Sequence, residues 1–337
     1  MASYERINYA LRPAKTIERK MLADGFRRLT AFATLTSYRY VGFGSTYFSD
    51  FIMFHRTLNI TNMLSIEKDV ENQDRFDFNL PFKCVKMAYG KSTDVLPTLK
   101  WNKRTIAWFD YDGPLTADVL ADVAFFATNA ASGSVLVISV NANAGDDEHQ
   151  PRVETSEVDS EEEADSSSPA TRASRRLERF KGRVGHAKVP TDVTAKDMRQ
   201  WLFADVCKRI VANEINETIR ARNGVLEDED RFMYSQLFNF HYADGAKMLT
   251  VGGIIYTKGE EPHYREAMFD TLPFVRTNGE AYTIEVPNLT YREIRNLEKQ
   301  MPCAEGTTLK APGVPVEDTQ KYARVYRYFP TFAETDV

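Results

Sequence analysis

The sequence has few cysteines and no long apolar segment. Its 337 residues include three cysteines, Cys84, Cys207 and Cys303, and none of them stands in a CxxC pair or a Cys/His cluster. An odd number of isolated cysteines supports neither a disulfide framework nor a zinc site. No apolar run reaches the roughly 18 to 20 residues that span a bilayer, and residues 1–12 lack the apolar core of a signal peptide. These absences predict a soluble protein of a reducing, cytoplasmic compartment.

The chain also lacks a strong excess of charge of either sign. Its formal net charge is −5, which does not indicate a general binder of polyanions. Hydrophobic residues make up 43% of the sequence. This content is enough for the core of one large domain, or of one domain with a smaller addition.

What the sequence does contain is an alternation of strand-like and helix-like segments. Apolar runs predict five strands, at 38–43, 63–67, 82–88, 105–110 and 134–140. Helix-like stretches lie between several of them, at about 46–58, 91–99 and 115–130. Such alternation predicts a mainly parallel sheet with right-handed crossovers. Farther along the chain, Asp244-Gly245 separates two β-rich runs, which indicates a terminal antiparallel hairpin.

Composition divides the chain into four predicted parts. Residues 1–36 form an N-terminal helical cap, 37–141 and 190–260 form the α/β domain, 142–189 are a charged disordered insertion, and 261–337 are a C-terminal extension. The insertion is predicted from its low hydrophobicity and its blocks of like charge.

Two basic segments leave their roles open. The predicted N-terminal helix places Lys15, Arg19 and other basic residues beside its apolar stripe. That face is either solvated or part of a cap that aims an arginine at an anion in the cofactor or substrate mouth. The insertion ends in an Arg-rich stretch at 172–183, with at most a short helix at 172–181. This stretch is either a solvated loop or an arm for a nucleic-acid or protein partner.

A glycine turn follows the first strand, and an acid follows the second. Gly42 and Gly44 lie in the turn, and Glu67 stands 23 residues beyond Gly44 at the end of the next strand. This arrangement predicts a nucleotide-type ligand at the carboxyl edge of the sheet, with the acid on the ribose hydroxyls. Tyr47 occupies the place of the third glycine of the dinucleotide fingerprint. The sequence therefore favours an adenosyl ligand without phosphates over NAD or FAD.

These features together resemble the class I S-adenosylmethionine-dependent methyltransferases, over about residues 35–260 without the insertion. The whole chain is also similar to bacterial proteins called putative O-methyltransferases. The resemblance implies an α/β, Rossmann-like, mainly parallel seven-stranded sheet with a terminal antiparallel hairpin, helices on both faces and a small helical C-terminal extension. It implies S-adenosylmethionine as cofactor. In that family pattern Gly42, Gly44 and Ser45 match the turn near the methionine part, Glu67 matches the ribose-binding acid, and Asp110 matches the acid near the reacting methyl.

Asp110 and Asp112 are the candidate catalytic residues. One residue separates them, so an extended backbone would place both carboxylates on one side, where either could take a proton from a hydroxyl acceptor. Two alternatives stay open: a pair of acids that holds a divalent cation, and a turn that leads into the helix at 115. The run Asp110-Tyr-Asp-Gly-Pro differs from the (Asp/Asn)-Pro-Pro-(Tyr/Phe) motif of enzymes that methylate base amino groups.

The leading prediction is a methyltransferase that acts on an unidentified, hydroxyl-type acceptor. Its main rival is a non-catalytic module that keeps the cofactor fold to bind a protein or nucleic-acid partner, for example in a bacterial defence system. An NAD-type oxidoreductase is disfavoured by Tyr47 and by the final hairpin.

Overall fold

A computed structural model describes residues 12–144, 169–304 and 306–330. The acidic run predicted at 154–165 lies outside the described residues. Within the described parts, no helix combines the length and the apolar character needed to cross a membrane.

The centre of the fold is a sheet that has eight strands within the described ranges. The strands are β1 Arg39–Gly42, β2 Asn62–Glu67, β3 Val85–Tyr89, β4 Thr105–Pro114, β5 Ser134–Asn141, β6 Phe232–Ala243, β7 Lys247–Thr257 and β8 Tyr282–Ile284. Their order in the sheet is β3-β2-β1-β4-β5-β7-β6-β8. The first five strands are parallel, and β6 and β7 form an antiparallel hairpin whose second strand pairs with β5.

The predicted α/β architecture with a mainly parallel sheet is confirmed. The predicted antiparallel hairpin is formed by β6 and β7, but it is not terminal, because β8 pairs along its outer edge. The predicted number of seven strands is wrong. The eighth strand, β8, has three residues and pairs in parallel with Phe240–Tyr242 of β6. A strand this short shows no usable alternation of apolar and polar residues, so its pairing depends on the tertiary fold.

Helices cover both faces of the sheet, and a separate core lies beneath each set. One core contains side chains of α1 and α2, and the other contains side chains of α5, α6 and α7. The helices are α1 Pro13–Arg27, α2 Ser49–Leu58, α3 Gln73–Phe78, α4 Ser92–Val95, α5 Ala117–Asn129, α6 Pro169–Val184, α7 Gln200–Arg222, α8 Glu261–Glu266, α9 Tyr291–Glu298 and α10 Val316–Val325.

The first helix, α1, is buried around most of its circumference. A Cβ atom added to Gly25 would lie 2.7 Å from the Phe238 ring of β6, which shows how closely the helix packs on the hairpin. Lys15 and Arg19 are 2% and 6% exposed, so neither belongs to a solvated face. The buried positions of α1 are Ala14, Lys15, Ile17, Glu18, Arg19, Met21, Leu22, Ala23, Gly25 and Phe26.

The second half of the predicted disordered insertion is helical. In α6, Ala173, Leu177, Phe180 and Val184 are buried at spacings of three and four residues. These residues form one stripe, of which Leu177, Phe180 and Val184 belong to the core beneath α5, α6 and α7. The Phe180 ring packs edge-on against Phe203 of α7, with 4.9 Å between the ring centroids. The short helix allowed at 172–181 is therefore present and extends over Pro169–Val184. Its length was underestimated because the dense arginines concealed the apolar stripe.

Candidate functional site

A cavity of about 630 Å³ opens at the carboxyl edge of the parallel strands. Its size is typical of sites for small molecules and cofactors. The wall is formed by the carboxyl ends of β2 and β4, by residues that follow β1, β2 and β3, by the starts of α2, α4 and α5, and by one residue of α1. These residues include Arg19, Phe43, Gly44, Ser45, Ser49, Asp50, Ile66, Glu67, Lys68, Asp69, Gly90, Lys91, Trp108, Asp110, Tyr111, Asp112 and Gly113.

Five of the six residues predicted from the sequence line this cavity together: Gly44, Ser45, Glu67, Asp110 and Asp112. They come from the ends of β1, β2 and β4, which are adjacent in the sheet. The sequence motifs are therefore neighbours in space, as expected for acids and turns at the carboxyl edge of parallel strands.

The sixth residue, Gly42, does not line the cavity. A Cβ atom at this position would lie 2.7 Å from the Tyr40 hydroxyl oxygen and 3.1 Å from the Trp108 carbonyl oxygen. The glycine thus leaves room for the Tyr40 side chain, and its contribution to the site is indirect.

The turn after β1 is tightly packed and partly left-handed. The amide of Gly44 donates to Ser65 Oγ at 3.0 Å, and a Cβ atom on Gly44 would overlap the Phe48 ring. Ser45 and Phe48 have φ angles of 47° and 46°. Left-handed backbone at residues other than glycine costs on the order of 1–3 kcal/mol and is concentrated at ligand-binding sites. The packing around Phe48, which is fully buried, holds the turn in this shape.

Glu67 is held at the end of β2 by the chain that follows it. Its Oε1 accepts a hydrogen bond from the Asp69 amide at 2.9 Å. Burial raises the pKa of Glu67, and the bond from Asp69 opposes this shift in part. A half-buried carboxylate in the wall is a suitable acceptor for two vicinal hydroxyls.

Asp110 is paired with a residue that sequence reasoning placed on the basic side of α1. Lys15 Nζ lies 2.7 Å from Asp110 Oδ1 and 2.8 Å from Glu18 Oε2. The same ammonium donates to the Tyr242 hydroxyl at 3.1 Å. Asp110 is therefore half of a buried ion pair between β4 and α1, and it is not a free carboxylate.

Asp112 has a different environment from Asp110. The pairing of β4 with β5 becomes irregular between Asp110 and Pro114, and Asp112 is exposed at the wall of the cavity. Between the two acids, the Tyr111 hydroxyl donates to Asp122 of α5 at 2.5 Å. Burial raises the pKa of both Tyr111 and Asp122. This anchored tyrosine fixes the strand end from which both acids project.

Sequence reasoning missed Asp50, which lies shortly after the glycine turn, at the start of α2. Asp50 lines the cavity, is 8% exposed and accepts a short hydrogen bond from the Tyr40 hydroxyl. Burial raises the pKa of Asp50, whereas the Tyr40 hydrogen bond and the positive charge of Arg19 lower it in part. An acid at the second position of a helix is common enough that the pattern alone gave no signal.

Arg19 lines the cavity, which favours the second of the two alternatives for the basic face of the N-terminal helix, a cap over the cofactor or substrate mouth. Lys15 could not be distinguished from surface lysines by spacing alone. For metal binding, the described residues contain no group of three or more His, Cys, Asp or Glu side chains arranged to hold an ion.

Solved structures with a similar fold include methyltransferases of different lengths. Trm1 from Pyrococcus horikoshii, with S-adenosyl-L-methionine, is 9% identical with a TM-score of 0.44 and covers 73% of this chain and 57% of its own. The O-methyltransferase TomG from Streptomyces achromogenes, in complex with SAM, is 12% identical with a TM-score of 0.35, and the match covers 75% of this chain and 99% of the TomG chain. At these identities and TM-scores the likeness carries no argument about this chain.

No curated protein matches the sequence. One family model does, over residues 7–337, and its description is "Putative O-methyltransferase". The match includes every element described above, from α1 to α10. It confirms the methyltransferase resemblance that the motifs indicated, and the chain belongs to the "Putative O-methyltransferase" family.

Proposed function

We propose that this protein transfers the methyl group of S-adenosylmethionine to a hydroxyl acceptor. The observation that carries the proposal is the cavity in which Gly44, Ser45, Glu67 and Asp110 meet at one edge of the sheet. Family membership supplies the reaction class. The cavity supplies the groups that an adenosyl amino acid requires: a carboxylate that can accept from the ribose hydroxyls, a narrow turn, and charges of both signs for the amino-acid end.

Each group of the cofactor has a suitable residue in the wall. Glu67 would accept hydrogen bonds from the ribose hydroxyls, and the turn at Gly44 and Ser45 would face the methionine part. Arg19 would bind the methionine carboxylate, because a guanidinium matches the geometry of a carboxylate. Asp110 would face the ammonium group or the sulfonium.

When bound, the cofactor would supply an activated methyl group: the acceptor oxygen would bond to the methyl carbon in line with the carbon–sulfur bond that breaks, with S-adenosylhomocysteine as the leaving group. Most of the rate can come from alignment of the reacting groups. Asp110 and Asp112 are the proposed catalytic residues, with separate tasks. Asp112, exposed in the wall, would take the acceptor proton, whereas Asp110, bound by Lys15, would orient the cofactor.

Isothermal calorimetry with S-adenosylmethionine, S-adenosylhomocysteine and NAD tests the cofactor. We expect micromolar affinity for the first two and none for NAD. If a folded preparation binds neither sulfur compound below about 1 mM, the equivalent of about −4 kcal/mol, the proposal is wrong.

Transfer of a labelled methyl group to a panel of phenols, alcohols and hydroxy acids tests the reaction. With any acceptor that is labelled, Asp112→Asn should lower kcat by about 100-fold, the usual contribution of a positioned base, and leave the affinity for the cofactor nearly unchanged. An unchanged kcat would remove Asp112 from the mechanism.

A second candidate is that the protein binds an anionic partner, nucleic acid or an acidic protein, through the Arg-rich stretch at 172–183. It is supported by α6, where Arg172, Arg175 and Arg179 are exposed on the face opposite Leu177. Fluorescence anisotropy with labelled single- and double-stranded DNA and RNA tests it. Binding that weakens with salt and with Arg175→Glu supports a nucleic-acid partner, and absence of binding at low salt excludes one.

A further inference from the structure

Lys15 stands where a lysine is physically unfavourable. It lies in the first turn of α1, two residues after Pro13, and that turn contains no acidic residue. The first turn of a helix favours anions, so a cation there opposes the helix dipole. The side chain is also 2% exposed, and lysine is almost never buried without a partner. A departure of this kind from local preference is expected at functional sites.

Four groups surround the buried ammonium. They are the carboxylates of Asp110 and Glu18, the Tyr242 hydroxyl, and the Trp108 ring, whose centroid lies 4.6 Å from Nζ. Burial lowers the pKa of Lys15, but the two carboxylates raise it by more, so the net pKa lies above its ordinary value. The lysine is therefore charged at any physiological pH.

The two carboxylates differ in what they face. Glu18 is fully buried and accepts hydrogen bonds from the Tyr242 hydroxyl at 3.2 Å and from Thr250. Asp110 has a side chain that is 23% exposed and lines the cavity. One ammonium thus lies between two carboxylates, and the only member of the triad that contacts the cavity is negative.

We propose that Lys15 is a positioning residue that holds the Asp110 carboxylate in one orientation toward the cavity as a fixed receptor for a cationic group. The inference rests on the proposed function, in which that cation is the amino-acid end of S-adenosylmethionine. A single hydrogen bond to Oδ1 leaves the rest of the carboxylate available to the ligand. It also disfavours Asp110 as a general base, because a proton on this carboxylate would weaken the ion pair with Lys15.

The network continues beyond the ion pairs and ties α1 to the sheet. Thr250 of β7 and Ser139 of β5 share a hydrogen bond at 2.6 Å, and Trp108 Nε1 donates to Ser139 Oγ at 2.9 Å. Glu18 contacts this chain through Thr250. Glu18 thus has a structural task that does not involve the cavity, which makes it the appropriate reference for Lys15.

The test is a double-mutant cycle in a background that lacks the Glu18 charge. Lys15→Met alone would leave two unbalanced carboxylates, one of them fully buried, and could unfold the protein. Glu18→Gln keeps the shape of the side chain, with an amide oxygen that can accept from Tyr242 and an amide group that can donate to Thr250 Oγ1. The reference variant is Glu18→Gln. Lys15→Met and Asp110→Asn are each added to this reference separately, and a fourth variant carries all three substitutions. Melting temperature and S-adenosylmethionine affinity are measured for each, and Lys15→Arg in the same background serves as the rescue variant.

We expect Glu18→Gln to lower the melting temperature but to bind S-adenosylmethionine within about threefold of the wild type. Adding either Lys15→Met or Asp110→Asn should weaken binding by about tenfold, and adding both should weaken it no further, because the two residues act as one unit. Lys15→Arg should retain most of the affinity.

Two results would overturn the inference: a Lys15→Met variant that binds as the Glu18→Gln reference does, or losses for Lys15 and Asp110 that multiply. Failure of the proposed function is distinct, because the wild type itself would then not bind S-adenosylmethionine.

Discussion

The two sides of the cavity are built in different ways. On one side, which we call the strand wall, Glu67 and Asp110 come from the carboxyl ends of parallel strands, and Gly44 and Ser45 come from the turn after β1. On the other side, Arg19 of α1 lines the cavity, and Lys15 of the same helix is paired with Asp110 without lining the cavity itself. The strand wall presents acids, a turn and two lysines, Lys68 and Lys91, whereas α1 presents the cations that act on Asp110 and Asp50.

The difference shows how the site acquires its charge balance. Parallel strands bring their carboxyl ends together by topology alone, so the acids of the strand wall would meet in any protein of this fold. They would also repel one another and raise the cost of burial. The cations of α1 compensate for this repulsion at Asp110 and Asp50. We infer that binding specificity arises where the two sides meet.

The largest effect is expected in the strand wall, at Gly44. In Gly44→Ala the new Cβ would overlap Phe48 and lie 2.9 Å from Ser65 Oγ, so the turn must shift. We expect S-adenosylmethionine affinity to fall by roughly 100-fold, the equivalent of about 3 kcal/mol and the upper end of overpacking costs. Calorimetry measures the loss. Gly224→Ala is the matched control, because an added Cβ there meets no atom within 4 Å, and its affinity should equal that of the wild type.

A smaller effect is expected at Tyr40, which supports Asp50 from behind the strand wall. Tyr40→Phe removes the hydroxyl donor of a buried carboxylate and should lower the free energy of unfolding by about 1–3 kcal/mol in urea titrations. The control is Tyr38→Phe, since that hydroxyl donates to the Gly133 carbonyl instead. Tyr38→Phe should lower the free energy of unfolding by about 1 kcal/mol and leave cofactor affinity intact. Tyr40→Phe should lower both the free energy of unfolding and the cofactor affinity. Equal effects of the two variants on affinity would contradict a role of Asp50 in the site.

Glu67→Gln should separate binding from stability. Burial raises the pKa of Glu67 above its ordinary 4.5, so in that range the native state binds more protons than the unfolded state and stability falls as pH rises. The glutamine variant has no ionisable group at this position, so it does not lose this stability as pH rises. Its melting temperature should match the wild type near about pH 4 and exceed it at neutral pH, while its affinity for the cofactor drops about tenfold. A variant that is less stable at neutral pH would show that Glu67 is a structural acid.

The smallest effect on cofactor binding is expected for Asp112→Asn. Asp112 is exposed, and interactions between solvent-exposed charges contribute at most about 1 kcal/mol. Calorimetry should give an affinity within about threefold of the wild type. A larger loss would place Asp112 with Asp110 in the cofactor site and would remove the division of tasks between them.

The strand wall could be predicted because its signals are local. A glycine turn after an apolar run, and acids at the ends of the following strands, specify both their elements and their edge of the sheet. The α1 side could be given only as one of two alternatives, because Lys15 and Arg19 lie on the same basic face as the exposed Arg27. Only the packing of α1 between the sheet and the C-terminal residues determines which of these side chains are buried.

Two further misses have the same origin. The stripe of Leu177, Phe180 and Val184 in α6 is sparse among arginines, and its burial depends on α7 and on the sheet. The three residues of β8 form a strand only because β6 offers an open edge. In each case the structure is decided by packing or pairing with an element that is distant along the chain.

The outer edge of β6 has a consequence for handling the protein. β8 pairs with Phe240–Tyr242, and the Arg276 amide donates to the Leu237 carbonyl farther along the same strand. An uncovered edge strand is a template for pairing between molecules. A chain cut before Arg276 would expose this edge together with its aromatic residues. The C-terminal segment therefore covers this edge and prevents self-association. Its removal should yield aggregates even though the cavity residues are all retained.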